Sequence, residues 1–155
     1  MTRRLLALTM LSVALVPGAG KPDLSGRWVL NLAKSDYGPM QAQAPQKLER
    51  TIALEGKNLK FTTQQSGARG DITTEMAYTT DGKPCTNKTS RGDVTGTAKW
   101  DGNVLVIASK REINGNEISQ TERWSVSDDG RTLTILNKIN TPAGDSEIRL
   151  VLEKQ

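Results

Sequence analysis

Few side chains in this sequence have the chemistry of a catalytic base, an activated nucleophile or a metal ligand. Histidine is absent, which removes the usual general base and the commonest metal ligand. The single cysteine, Cys85, therefore has no imidazole to activate it. Asp128 and Asp129 are adjacent and precede Gly130, a sequence typical of a tight turn in which both carboxylates stay solvated. We therefore predict a protein that is not an enzyme and that binds no metal or cofactor.

A different set of polar residues lies at positions where the surrounding pattern predicts inward, apolar side chains. These residues are Arg50, Gln120, Glu122 and Asn137. A buried charge costs several kcal/mol unless it is paired. Three explanations stay open: a β-bulge that reverses the faces of a strand, a polar network such as Arg50 with Glu122, or a water-lined cavity that holds a ligand. In a cavity, Arg50 could bind a ligand carboxylate.

These residues belong to a chain of predicted strands. Runs with apolar side chains at every second position alternate with short clusters of Gly, Asp, Asn and Pro, which supply the backbone angles of hairpin turns. The clusters are Glu55–Asn58, Gly67–Gly70, Thr80–Gly82, Arg91–Asp93, Asp101–Asn103, Asn114–Asn116, Asp128–Gly130 and Pro142–Gly144. They separate about nine or ten strands, which predicts an all-β, antiparallel up-and-down meander. Closure into a barrel of about 8–10 strands would remove the exposed edges of the sheet.

The period of two also places several large side chains on the inward face. They are Phe61, Met76, Tyr78 and Trp100. We interpret them as core residues that would also form the apolar walls of a cavity, if the interior contains one. Residues 33–46 are too long for a hairpin turn and predict a short helix or a compact loop. Tyr37 on this segment is a candidate lid contact for a ligand.

The segment 104–107 is apolar on both of its faces. We assign Val104 and Val106 to the core. Leu105 and Ile107 then form an outward patch, which indicates a covered strand or an interaction surface.

The first predicted strand begins with Ser25-Gly26-Arg27-Trp28. A Gly-x-Trp at the start of a small all-β meander resembles the lipocalin and wider calycin families. The resemblance implies a lipocalin-like barrel in which Trp28 plugs the closed end. It also implies a late arginine packed over the tryptophan ring, for which Arg149 on the last predicted strand is the matching residue. Among proteins of this kind, the chain is most similar to small secreted bacterial proteins of unknown role.

The N-terminus has the order of a secretory signal peptide: Arg3 and Arg4, an apolar run at 5–16, and then a proline with small residues. The apolar run is shorter than the roughly 20 residues that a membrane span needs. We therefore predict a signal peptide at residues 1–20, export to the periplasm or the extracellular space, and a single domain at 21–155.

Charge and cysteine content narrow the class of partner. The predicted signal peptide holds two of the 21 basic residues and none of the 17 acidic ones, so its removal lowers the formal charge from +4 to +2. The remaining basic residues are scattered among acidic ones, without the stripe typical of nucleic-acid binding. One cysteine cannot form an intramolecular disulfide, so packing alone must hold the domain. We predict a monomer with no nucleic-acid partner and no integral membrane span after cleavage.

These observations together predict an exported, non-catalytic protein that binds a small apolar or amphipathic molecule inside a β-barrel. The candidate ligand-binding residues are Tyr37, Arg50, Phe61, Met76, Tyr78, Trp100 and Glu122. The alternative is a filled β-barrel that serves as an envelope or extracellular protein-interaction module without a small-molecule ligand. An empty interior of several hundred Å3 favours the first function, and a densely packed interior favours the second.

Overall fold

The structure, a computed structural model, describes residues 20–155. The predicted signal peptide at residues 1–20 lies outside the described residues apart from Gly20, and it stays a prediction. Within the described range, no helix is long and apolar enough to span a membrane.

Ten antiparallel strands form one sheet. They are β1 (Gly26–Leu30), β2 (Lys47–Glu55), β3 (Asn58–Gly67), β4 (Gly70–Thr79), β5 (Cys85–Thr89), β6 (Gly92–Asp101), β7 (Val104–Ile113), β8 (Asn116–Val126), β9 (Thr132–Thr141) and β10 (Gly144–Lys154). Their order in the sheet is β4-β3-β2-β1-β10-β9-β8-β7-β6-β5. Strands that follow one another in the chain are therefore neighbours, except β4 and β5 at the two ends of the sheet, and β1 pairs with β10. The predicted all-β meander is confirmed.

Tight turns form between the strands because the sequence supplies residues that tolerate positive φ angles. In the β7–β8 turn, Asn114 and Gly115 have φ angles of 52° and 78°, the signs that a type I′ turn requires. This turn type matches the twist of the flanking strands and returns the chain directly onto its neighbour.

The barrel is nearly closed where the two ends of the sheet, β4 and β5, meet. Here the side chain of Asn87 replaces part of a backbone ladder: its Oδ1 accepts from the Ala77 N–H at 2.8 Å, and its Nδ2 donates to the Ala77 carbonyl at 3.1 Å. Beside this contact, the Gly82 N–H donates to the Ala98 carbonyl at 2.9 Å. The Asn87 side chain thus links β4 to β5, and the Gly82 bond ties the connection between these strands to β6.

Trp28 fills the closed end of the barrel, as the family resemblance implies. Its side chain is fully buried, and its indole N–H donates to the Leu24 carbonyl at 2.9 Å. The predicted arginine over its ring was wrong, because alternation along β10 turns Arg149 outward, where it is exposed. Lys154 takes this place instead: it pairs with Trp28 in the β1–β10 register, and its Nζ lies 5.5 Å from the ring centroid.

The assignment of faces along β7 was also wrong. Leu105 and Ile107 are buried in the core, whereas Val104 and Val106 lie on the outer side. The pairing register explains the difference, because Leu105 lies opposite the inward Trp124 of β8 and directly paired residues project to the same face. The outward patch predicted at Leu105 and Ile107 does not exist.

Two short 3-10 helices, Leu32–Lys34 and Gly38–Gln43, follow β1 and confirm the expectation of short helical or compact structure at residues 33–46. A backbone bridge between Asp36 and Arg149 fixes the segment to β10. Tyr37 lies between the two helices and is buried beneath them. The segment therefore covers the end of the barrel opposite Trp28, which we call the open end.

We predict that Trp28→Ala lowers the free energy of unfolding by about 3–5 kcal/mol, because it leaves a large void and an unpaired Leu24 carbonyl at the closed end. Chemical denaturation of both proteins measures the loss. Trp100→Ala is the matched control, since Trp100 is only half-buried and should cost less. Equal losses in the two variants would show that Trp28 has no special role in closing the barrel.

Candidate functional site

Two chambers occupy the interior between the open end and the barrel centre, with volumes of about 240 Å3 and 310 Å3. Both chambers are bounded by Arg50, Thr63 and Glu122. The first lies against β3, β4, β7 and β8, with apolar wall residues that include Phe61, Met76, Tyr78, Ile107 and Ile118. The second lies beneath the longer 3-10 helix, with wall residues that include Tyr37, Met40, Leu48, Ile148 and Leu150. The interior is therefore partly empty.

Arg50 lies where the two chambers meet. It is 7% exposed, and its Nε donates to the Thr63 hydroxyl at 2.9 Å. The guanidinium carbon is 5.0 Å from the ring centroids of both Phe61 and Trp124, so two aromatic rings lie against the cation. Neighbouring strands β2 and β3 bring Arg50 and Thr63 together, because the two residues are directly opposite in the register.

Glu122 supplies the counter-charge to Arg50 from β8. Its Oε2 lies 3.7 Å from Arg50 Nη1 and accepts the indole N–H of Trp124 at 2.7 Å. Burial lowers the pKa of Arg50, and the carboxylate of Glu122 opposes that shift. The pairing of β2, β8 and β9 with their neighbours is uninterrupted, so a β-bulge does not explain the inward polar residues. A polar network and a cavity are both present.

Three buried polar atoms in residues 20–155 have no hydrogen-bond partner: Arg50 Nη1, the Tyr78 hydroxyl and Asn137 Oδ1. All three belong to residues that line the chambers. Asn137 uses its other amide atom to donate to Gln120 Oε1 at 3.4 Å. Buried polar groups in proteins are nearly always satisfied by protein, water or ligand. Residues that line the chambers thus carry polar atoms whose hydrogen-bonding capacity the described residues do not use.

The structure brings most of the candidate residues together. Those in the first chamber are Arg50, Phe61, Met76, Tyr78 and Glu122. Tyr37 lines the second chamber. Trp100 lines neither; it is at the closed end, where Lys21 Nζ lies 5.5 Å from its ring centroid.

Several polar lining residues were missed by sequence analysis. Thr63 follows Phe61 on the same face of β3, so the period of two could have identified it. Ser109 and Arg111 were missed because the faces of β7 were assigned the wrong way round. Arg91 lies in the β5–β6 turn, where no periodicity indicates which way a side chain points.

The site has no cluster typical of a metal centre. Among residues 20–155, no three His, Cys, Asp or Glu side chains are grouped closely enough to hold a metal ion together. The titratable pair in the interior, Arg50 and Glu122, is instead arranged as an ion pair.

We predict that Glu122→Leu lowers the free energy of unfolding by about 3–5 kcal/mol, because it leaves the buried Arg50 cation without a counter-charge. Adding Arg50→Leu to this variant should recover much of the loss, since both charges are then gone. Urea denaturation of the single and double variants measures both changes. If the double variant is no more stable than Glu122→Leu, the two side chains are not energetically coupled.

We also predict that both tyrosines of the chain resist ionisation at alkaline pH. Burial raises the pKa of Tyr37 to about 12, and burial together with the Glu122 carboxylate raises that of Tyr78. A phenol whose pKa rises on folding contributes stability that is complete below its unfolded pKa of 10.0 and is lost as the pH rises through the folded value. Tyrosinate absorbance should therefore appear only well above pH 10.0, together with unfolding. A transition centred at pH 10.0 in the folded protein would contradict this assignment.

Comparison with known proteins identifies relatives in fold but not in sequence. A scan against protein-family models finds no match, and a comparison with curated proteins finds none either. Among solved structures, a secretory abundant heat soluble protein from Ramazzottius varieornatus is 15% identical, with a TM-score of 0.61 over 88% of this chain and 98% of its own.

Two further solved structures are similar to a comparable extent. The zebrafish ileal bile acid-binding protein, in complex with cholic acid, is 19% identical, with a TM-score of 0.54 over 84% of this chain and 98% of its own. The fatty-acid-binding protein 1 of Echinococcus granulosus is 16% identical, with a TM-score of 0.55 over 84% of this chain and 96% of its own. The chain thus has the calycin β-barrel fold.

Proposed function

We propose that this protein binds a small amphipathic molecule reversibly inside its barrel, without covalent chemistry. The observation that carries the proposal is the pair of partly empty chambers, whose linings combine apolar side chains with polar ones. Arg50, Tyr78 and Asn137, which line the chambers, each also carry a buried polar atom without a hydrogen-bond partner. A ligand with polar groups among apolar ones would match both kinds of lining.

The chamber volumes also support a ligand-binding interior over a filled barrel. At about 240 Å3 and 310 Å3, each chamber is near the lower limit of typical small-molecule pockets, about 300 Å3. The alternative of a filled interaction module depended on an outward patch at Leu105 and Ile107, and both residues are buried in the core. A small ligand is therefore the better explanation of this interior.

The named functions of the fold relatives agree with this proposal. A bile acid-binding protein in complex with cholic acid and a fatty-acid-binding protein share the fold at 19% and 16% identity. Such likeness supports a binding interior in this chain without identifying its ligand.

The remaining parts of the proposal concern compartment, assembly and chemistry. We propose that the protein is exported to the periplasm or extracellular space and acts there as a monomer. We also propose that it is not an enzyme, because its interior carboxylate, Glu122, is committed to the Arg50 guanidinium and the Trp124 indole. The sequence supplies no histidine to act as a general base beside them.

An occluding substitution tests the binding function directly. Thr74 points into the first chamber from β4, whereas Thr73 next to it is exposed on the outer face. We expect Thr74→Trp to weaken binding of the uncharged fluorescent probe aminoanthracene by about tenfold or more, and Thr73→Trp to change it by less than about twofold. Fluorescence titration gives the dissociation constants, and circular dichroism checks that both variants fold.

The proposal fails if the wild-type barrel binds no probe, or if the two tryptophan variants bind it equally. Native mass spectrometry of the protein purified from its own host provides an independent measurement. A retained small molecule, absent from the Thr74→Trp variant, is the expected result.

A further inference from the structure

The open end of the barrel concentrates positive charge. Arg69 in the β3–β4 turn, Arg91 in the β5–β6 turn and Arg111 on β7 all line the second chamber. Arg91 and Arg111 also line the first. Among the residues that line the two chambers, Glu122 is the one carboxylate, and it is already paired with Arg50. The positive charge at the open end is therefore not balanced from inside the cavity.

Arg91 and Arg111 are the two arginines shared by both chambers at this end. Within residues 20–155, neither side chain makes an ion pair with a carboxylate within 4.0 Å. Arg111 is half-buried and projects inward, on the same face of β7 as Leu105 and Ile107. Burial and the neighbouring charge of Arg91 lower the pKa of Arg111. Both arginines line the same two chambers, so an anion bound at this end would be stabilised by both charges.

Lys110 is adjacent to Arg111, but its charge is paired with a carboxylate. Lys110 borders the first chamber, but it is exposed on the outer face of β7, and its ammonium group is 3.3 Å from Glu117. The charge of Arg50 is not free for an anion either, because Glu122 and two aromatic rings already surround its guanidinium. A ligand carboxylate beside Arg50 would have to approach Glu122, and the two negative charges would repel each other.

We propose that Arg91 and Arg111 bind the anionic head group of an amphipathic ligand at the mouth of the barrel, with the apolar part of the ligand directed inward. This inference rests on the proposed binding function and adds to it the charge and the orientation of the ligand. Arg91 and Arg111 thus determine specificity for anions, whereas Arg50 and Glu122 are part of the interior wall.

Matched probes test the assignment of charge. Octanoate, octanol and octyltrimethylammonium have the same apolar chain and differ in the charge of the head group. Isothermal titration calorimetry of the wild-type protein should give octanoate an affinity about tenfold or more above that of octanol, with octyltrimethylammonium the weakest. Added salt should weaken the binding of octanoate more than that of octanol.

Substitution of the arginines tests the residues. In the double variant Arg91→Gln and Arg111→Gln, octanoate should bind about tenfold or more weakly, while octanol changes by less than about twofold. Arg131→Gln is the matched control, because Arg131 is an exposed arginine at the closed end and should leave both affinities unchanged.

The outcomes separate this inference from the proposed function. If octanol and octanoate bind the wild-type protein equally, or if the double variant keeps the preference for octanoate, the assignment of Arg91 and Arg111 is overturned and the binding function stands. If no probe binds, the binding function and the inference both fail. Cosedimentation with phosphatidylglycerol vesicles, without binding of octanoate, would assign the arginines to a membrane surface and overturn the inference as well.

Discussion

The burial of Arg50 is the constraint on which the interior of this barrel depends. A guanidinium with 7% exposure is stable only if its lost hydration is replaced. Thr63 accepts one hydrogen bond, the rings of Phe61 and Trp124 surround the cation, and Glu122 provides the opposite charge. These contacts come from β2, β3 and β8, so one charged group links strands that are distant in the sheet. Substituting any of these neighbours changes the environment of a charge as well as the packing of a core.

The same constraint explains why the interior is not filled with apolar side chains. A polar network inside a barrel occupies an irregular volume, and its atoms need partners in directions that neighbouring strands do not always supply. Arg50 Nη1, the Tyr78 hydroxyl and Asn137 Oδ1 are buried without hydrogen-bond partners, in residues that line the two chambers. The closed end is different, because a large aromatic side chain fills it. Trp28 is buried there, and its one polar atom donates a hydrogen bond to the Leu24 carbonyl. The barrel therefore has one end that is packed around Trp28 and another end that is polar and partly empty.

The sequence was sufficient to predict the fold class, but it did not show for every strand which face points into the barrel. Glycine and aspartate turns and the period of two predicted the antiparallel meander, and the same period placed Arg50 and Glu122 in the interior. It could not orient β7, because residues 104–107 are apolar on both faces and the pattern contains no information on how the strand is registered with β8. Register is a property of paired strands, so a single strand cannot reveal it.

The arginines that line the open end could not be predicted from the sequence, for related reasons. Arg111 was hidden by the error on β7, and Arg91 lies in a turn, where the direction of a side chain depends on the turn geometry and not on a repeating pattern. Its Arg-Gly-Asp sequence is also an ordinary composition for a hairpin turn. By contrast, Tyr37 became a candidate because a long segment with an aromatic residue is an unusual feature in a chain of short turns, and it does line the second chamber.

The two halves of the cavity differ in whether their positive charge is compensated. In the interior, Glu122 provides the opposite charge to Arg50. At the mouth, Arg91 and Arg111 line both chambers, and the one carboxylate in the lining, Glu122, is paired with Arg50; in the proposed function, this part of the cavity therefore discriminates by charge. An anion at the mouth also keeps part of its hydration, which makes its binding less costly than full burial. In the proposed mode of binding, a ligand would therefore enter with its apolar part first and be held by its charge, without disturbing the ion pair on which the interior depends.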